Sequence, residues 1–287
     1  MTLLGLALPV FAAVGLASAI VDTSDAARRL RDRYSVSVAI GTPRTAISLP
    51  DVRGGDRSLP LVVIDPGHGG HDPGAGLQAD GVREKHVSLS LARAVRERLL
   101  SQGRVRVALT RDSDRFLVLE ERFEIARQLN ADLFVSIHAD SAADPKASGA
   151  SIYTLSEVAS GREAARLAAR ENRSDILAGS DLGRQTSSVG SILIDLAQRE
   201  AMATAADFAA ILAREGAKLF KLRDVPRQYA GFIVLKSPDT PSVLFEAGYL
   251  SNPQDAAFLT SAEGQARIAT GLSRAIGIHF AKSRAAR

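Results

Sequence analysis

Two histidines and two glutamates in this 287-residue chain stand where they could do chemistry together. His68 lies in Ile64-Asp65-Pro66-Gly67-His68-Gly69-Gly70, Glu84 in Gly81-Val82-Arg83-Glu84-Lys85, and His138 in Ser136-Ile137-His138-Ala139-Asp140. Glu246 ends the apolar run Val243-Leu244-Phe245. Two imidazoles and a carboxylate form the ligand set of a catalytic zinc that keeps one position open for water, and a further glutamate can act as general base. The chain has no cysteine, so any metal must be held by His, Asp or Glu. Singly, each residue has a plainer reading. A histidine after an apolar strand is more often packed than ligating. Glu84 suits a helix start, where the dipole favours an acid. Glu246 suits a buried acid with an arginine partner. The glycines flanking His68 allow a sharp turn that leaves the imidazole uncovered.

The elements that must position these groups alternate. Leu61-Val62-Val63-Ile64 is a short apolar run, as in a strand covered on both faces. Val87, Leu91, Val95 and Leu99 recur on one helical stripe. Strands are expected at 105–109, 133–137, 152–155, 232–235 and 243–245. Helices are expected at 119–129, with Phe123 and Ala126 inward, at 162–173, at 202–220 and around Ile268, Leu272 and Ile276. The pattern predicts an α/β fold, a mostly parallel twisted sheet of about six strands flanked by helices, with a helical insertion. In such sheets ligands gather at the carboxyl ends of the strands. His68, His138 and Glu246 fall at or just after such ends, and Glu84 in a loop before a helix.

Rival chemistries fail on the letters. From Gly67 the sixth position is Asp72, so the dinucleotide fingerprint is broken. There is no phosphate-loop Gly-Lys-Ser/Thr, no His-Glu-x-x-His and no Gly-x-Ser-x-Gly elbow. The net charge of +4 and pI near 9.6 come from scattered arginines. Without a basic run interleaved with aromatics, a nucleic-acid partner is not expected. Asp72 and Asp140 are candidates to orient the metal-bound imidazoles, with turn capping the equal alternative. His71, His86 and His279 are assigned to no metal. His71 reads as a loop residue facing solvent, and His86 as the start of a helix. His279 lies near a helix end, where a cation is favoured.

Across residues 61–280 the chain resembles the zinc-dependent N-acetylmuramoyl-L-alanine amidases of the cell-division type, the amidase-3 family. The likeness rests on Asp65-Pro66-Gly67-His68-Gly69-Gly70, Asp72-Pro73-Gly74-Ala75, Glu84-Lys85 and Thr110-Arg111. It continues through residues 131–140, Val234-Leu235-Lys236, and Glu246 with Ser251-Asn252-Pro253. The resemblance implies one Zn2+ per chain on His68, Glu84 and His138, with Glu246 catalytic. It also implies cleavage of the amide joining N-acetylmuramic acid to L-alanine in peptidoglycan, in cell-wall remodelling and daughter-cell separation. A wall-binding module without catalysis and a zinc hydrolase of another amide are the alternatives.

Residues 1–19 read as a signal peptide: an apolar stretch ending in Ala17-Ser18-Ala19, although the usual Lys or Arg is missing from its start. A buried or anchoring helix is the alternative. Export to the periplasm of a Gram-negative cell is therefore expected, as a monomer with no stable membrane span in the mature chain. Residues 20–59 read as a small hairpin (strands at 35–40 and 45–49) and a Gly54-Gly55 linker, too short for the septal targeting domain of better-known members. Residues 60–283 form the expected catalytic domain, with residues 160–200 inserted as a regulatory segment. By the same resemblance a helix there covers the metal and an acidic side chain fills its open position until a LytM-type activator protein displaces it. Glu157, Glu163 and Glu171 are the candidates. Residues 192–196 are either the activator surface or ordinary core.

Overall fold

The structure is a computed structural model that describes residues 47–77, 82–144, 146–174 and 188–285, with backbone alone at 188–195. The expected signal peptide and almost all of the expected hairpin lie outside the described residues. In chain order the elements are β1 (Leu61–Pro66), β2 (Gly76–Leu77), β3 (Val82–Arg83), α1 (Glu84–Gln102), β4 (Arg106–Leu109), α2 (Leu119–Gln128), β5 (Leu133–Asp140) and β6 (Ala150–Leu155). There follow α3 (Arg162–Glu171), α4 (Ser188–Gly216), β7 (Leu222–Ala230), β8 (Ser242–Tyr249), α5 (Pro253–Thr260) and α6 (Ala262–Ala285).

Six strands form one sheet in the order β4-β1-β5-β8-β6-β7. The first four run parallel, and β6 and β7 run against them. Alternation along each strand divides two cores. Val62, Ile64, Val135, Ile137, Val243 and Phe245 pack on one face with α1, α4 and α6. Leu61, Val63, Phe134 and Leu244 pack on the other with α2 and α3. Both faces are covered, which is why the central strands read as unbroken apolar runs. By the same alternation Ser136, His138 and Glu246 project from the second face. On α1, Val87, Leu91, Val95 and Leu99 are buried. Gly103, at φ 61°, ends the helix and returns its N–H to Leu100. Arg53 pairs with Val107 through both backbone bonds (2.8 and 2.9 Å), so the chain before β1 lies along the β4 edge.

Three expectations are corrected. Residues 232–235 are no strand: Ile233–Leu235 is a 3-10 turn, with Val234 and Leu235 buried in the second core. A short apolar run is equally suited to a packed turn. The sheet position belongs instead to β7, a polar edge strand containing Pro226. On α2 the inward residue is Arg122, with Leu119, Ile125 and Ala126, whereas Phe123 is only half-buried. His279 is no helix-end cation. It is buried against Phe208 and Phe280, and burial lowers its pKa. Among the described residues no helix is long and apolar enough to cross a membrane.

Candidate metal centre

The carboxyl ends of β1, β5 and β8 point the same way because these strands are parallel. His138 and Glu246 are register partners on β5 and β8, so their side chains leave the sheet side by side. Glu84 comes from the other direction, as the first residue of α1. Its carboxylate is held by two backbone donors, Ala75 N–H at 2.7 Å and Ala139 N–H at 3.0 Å.

His68 depends most on its surroundings. It has φ 61°, a left-handed conformation uncommon outside glycine that persists only where neighbours enforce it. Two buried arginines do so. Arg122 donates to the carbonyls of Pro66 (2.9 Å) and His68 (2.8 Å), and Arg111 to those of Pro66 (2.9 Å) and Gly67 (2.7 Å). Arg122 also pairs with Asp65 at 3.0 Å, and the hydroxyls of Thr110 and Ser136 donate to the same carboxylate. Burial alone would raise the Asp65 carboxyl, but Arg122 and the two hydroxyls outweigh it and hold it below its ordinary value. Burial, with the Arg122 charge beside it, lowers Arg111 to about 10. At Gly67 any Cβ would lie 2.3 Å from the His138 ring, so glycine there lets the two imidazoles approach.

The imidazole nitrogens then meet the carboxylates. His68 Nδ1 lies 2.8 Å from Asp72 Oδ2, a contact in which Nδ1 donates and which aims Nε2 inward as the ligating nitrogen. That buried Nε2 has no hydrogen-bond partner among the described residues, yet Glu84 Oε2 lies 3.0 Å and Glu171 Oε2 3.4 Å from it. His138 Nδ1 is likewise 3.0 Å from Glu84 Oε1 and 3.4 Å from Glu171 Oε2. An imidazole nitrogen facing two carboxylate oxygens needs positive charge between them, either a metal ion or, without one, the imidazolium proton. Burial lowers the His68 pKa, but Glu84, Glu171 and Asp72 overcome it and raise the pKa well above the usual value. Two ligands about 2.0–2.1 Å from a tetrahedral zinc lie about 3.3–3.4 Å apart, so these donors fit that ion. His68, His138 and Glu171 form a group with one atom each within 4.8 Å of one another. Glu84 touches both imidazoles of that group, so four donors converge.

The acid at 246 is 1% exposed. Its Oε2 accepts the Asp140 N–H at 3.0 Å, and its Oε1 has no hydrogen-bond partner among the described residues. Burial raises its pKa well above the ordinary value, and the charges of Asp140, Glu84 and Glu171 add to this. Asp140 is itself pushed up to about 7, chiefly by burial against the opposing pull of Arg170.

The remaining candidates separate cleanly. Asp72 fills both roles anticipated for it, orienting His68 and capping the Gly74 N–H at 3.1 Å. Asp140 touches no histidine and pairs with Arg170 at 2.5 Å. Glu157 is exposed, and Glu163 is tied to Arg223 and the Tyr249 hydroxyl, so neither reaches the imidazoles. Of the three acids expected near the metal, only Glu171 does. His71 stacks on Phe116, and His86 faces solvent near Asp114. Arg122 and Arg170 are the working residues that sequence reasoning passed over. The one available signal was an arginine on the apolar stripe of α2.

Residues 62–277 match the family model described as N-acetylmuramoyl-L-alanine amidase. The chain is 39% identical over 221 residues to N-acetylmuramoyl-L-alanine amidase AmiA of Escherichia coli (strain K12), covering 77% of this chain and 76% of that one. It is 36% identical over 234 residues to AmiC of Escherichia coli O6:H1, covering 81% of this chain and 55% of that longer one. Among solved structures it resembles AmiC2 of Nostoc punctiforme, with TM-score 0.57 and 29% identity over 77% of this chain and 97% of the other.

Proposed function

Because this chain belongs to the N-acetylmuramoyl-L-alanine amidase family and is a peptidoglycan amide hydrolase, we propose that it works with one zinc ion on His68, Glu84 and His138. The observation that carries this reading is the meeting of His68 Nε2, His138 Nδ1 and the Glu84 carboxylate at the carboxyl ends of parallel strands. The bond cut joins the lactyl group of N-acetylmuramic acid to L-alanine. When bound, zinc supplies Lewis acidity that polarises the scissile carbonyl and acidifies a water. Glu246 is the general base. Its Oε2 is anchored on the Asp140 N–H while Oε1 is free to take a proton and return it to the leaving amine. A carboxyl of raised pKa suits both halves of that exchange. Asp72 keeps His68 in the ligating tautomer.

Glu171 makes the resting state latent in this reading. It takes the position that water needs, at 3.4 Å from both imidazoles. Its helix is latched at both ends, by Glu163 with Arg223 and by Arg170 with Asp140. Asn172 adds bonds to Gly231 and Ile233. A LytM-type activator would pull α3 away. Leu196 on α4, 65% exposed, is the described end of the segment proposed to receive it. The setting is the periplasm, with the exported monomer separating daughter cells.

The test is zinc analysis followed by digestion of purified muropeptides, with mass spectrometry of the products. Free stem peptide with an L-alanine amino terminus, lost on chelation and restored by zinc, is expected. Metal-loaded, folded protein that releases no such peptide, with Glu171 intact or replaced, overturns the reading.

A further inference from the structure

Two charged side chains that are not metal ligands tie together two of the segments that carry ligands. Lys85 follows Glu84 in the first turn of α1, and Asp114 lies in the loop after β4. The Lys85 ammonium donates to the Gly70 carbonyl and to Asp114 Oδ2, each at 2.7 Å. Asp114 Oδ1 accepts the Gly70 N–H at 2.8 Å. Both backbone polar groups of Gly70 are therefore held by charged partners, which make the stronger hydrogen bonds. An ordinary surface ion pair joins two flexible side chains and contributes little. This one grips a backbone, and Lys85 is mostly buried while it does so. Gly70 is at the tip of a tight turn, in which Gly69 and Asp72 exchange both backbone bonds at 3.0 and 3.1 Å. His71, also at the tip, stacks on Phe116 from the loop that bears Asp114. The turn returns Asp72 to His68 Nδ1, while Glu84, next to Lys85, meets His68 Nε2.

We propose that Lys85 and Asp114 are positioning residues for the metal. By clamping Gly70 they hold Asp72 against His68, and His68 against Glu84, and so raise the affinity for zinc. The inference rests on the zinc reading above and adds to it the device that fixes the spacing of two ligands. The physical reason is that His68 stands on a short turn and Glu84 on a helix start, and neither element sets the distance to the other by itself. Lys85 does so because it shares the first turn of α1 with Glu84 and reaches the turn that carries His68. Partners that orient a metal-bound imidazole tune the metal affinity of the site, and Asp72 is that partner here. Among the described residues none of the clamp's bonds involves α3, so it persists when Glu171 leaves.

The test measures the zinc affinity of the full chain by competition with a fluorescent chelator. Lys85→Met and Asp114→Ala should each bind zinc about tenfold more weakly, at the lower end of what such outer partners contribute. The double variant should lose little more than either single one, because both side chains act on one turn. Lys218→Met, which breaks the pair with Glu215 outside the centre, should keep the parental affinity. Hydrogen exchange in metal-free protein gives a second reading. The Gly69 and Asp72 amides bond each other's carbonyls and not the clamp, so they should exchange faster in both variants if the clamp orders the turn. Parental affinity in both variants, an equal loss in Lys218→Met, losses that add in the double variant, or unchanged exchange overturns the proposal. A parent protein that takes up no zinc would instead refute the zinc reading, and the exchange rates would still decide whether the clamp orders the turn.

Discussion

Replacing Glu171 by glutamine removes a charge from the face of the metal centre at little cost in volume. The carboxylate is 5% exposed and lies 3.4 Å from the two imidazole nitrogens. Losing a charge-assisted contact of this kind costs about 1.5–3 kcal/mol, so the docked state of α3 should lose roughly ten- to a hundredfold in population relative to the open one. The rest of the latch remains: Arg170 on Asp140 at 2.5 Å, and Asn172 on Gly231 and Ile233 at 2.8 and 2.9 Å. The helix should therefore loosen without unfolding. The assay is release of dye from labelled peptidoglycan by zinc-loaded protein without an activator. Basal rate should rise by at least tenfold, and Asn172→Ala should raise it in the same direction with Glu171 still present. A folded, zinc-loaded Glu171→Gln protein no faster than the parent would refute blocking by this carboxylate.

Glu246→Gln should keep zinc and lose turnover by about 10²–10⁴-fold, the usual contribution of a positioned acid–base. Metal analysis beside the dye-release rate checks both halves, and near-parental turnover would remove Glu246 from the mechanism. Arg122→Met should destabilise the protein by about 3–5 kcal/mol, because it leaves the Asp65 carboxylate buried without its charge partner. Urea unfolding measures the loss, and a change below about 1 kcal/mol would show that the pair is dispensable. His279 has a folded pKa depressed below 6.5 by burial, with Asp207 and Asp132 opposing weakly. Between its folded and unfolded pKa values the unfolded chain binds more protons, so its contribution is complete above about 6.5 and declines as pH falls through that window. Unfolding of parent and His279→Gln at several pH values should show the parent losing more stability towards pH 5. Parallel curves would contradict this.

The period-two and period-four patterns located β1, β5, β8, α1 and α6 because a central strand or a packed helix stripe must be apolar where it is covered. They could not locate β7. An edge strand is paid for by backbone bonds along one side only, so its side chains carry no burial pattern, and Pro226 argues against a strand unless the edge is known. The apolar residues 232–235 misled for the complementary reason, since burial in a turn and burial in a strand demand the same side chains.

At the site, the side chains of His68, Glu84, His138 and Glu246 that the fold brings together were legible in the letters, because their neighbours are short-range signals: glycines that turn, strands that end, a helix that begins. Glu171 was one acid among three, and nothing local distinguished it. Which carboxylate reaches the imidazoles depends on how α3 lies across the sheet, and that is set by contacts 29 to 61 residues apart, such as Arg170 with the Ser141 carbonyl and Asn172 with Ile233. The same holds for Arg122, whose partner Asp65 is 57 residues away. Local sequence dictates the kind of group that a strand end or turn can offer. Only the folded chain decides which groups share a point in space, because that point is made by elements far apart along the backbone.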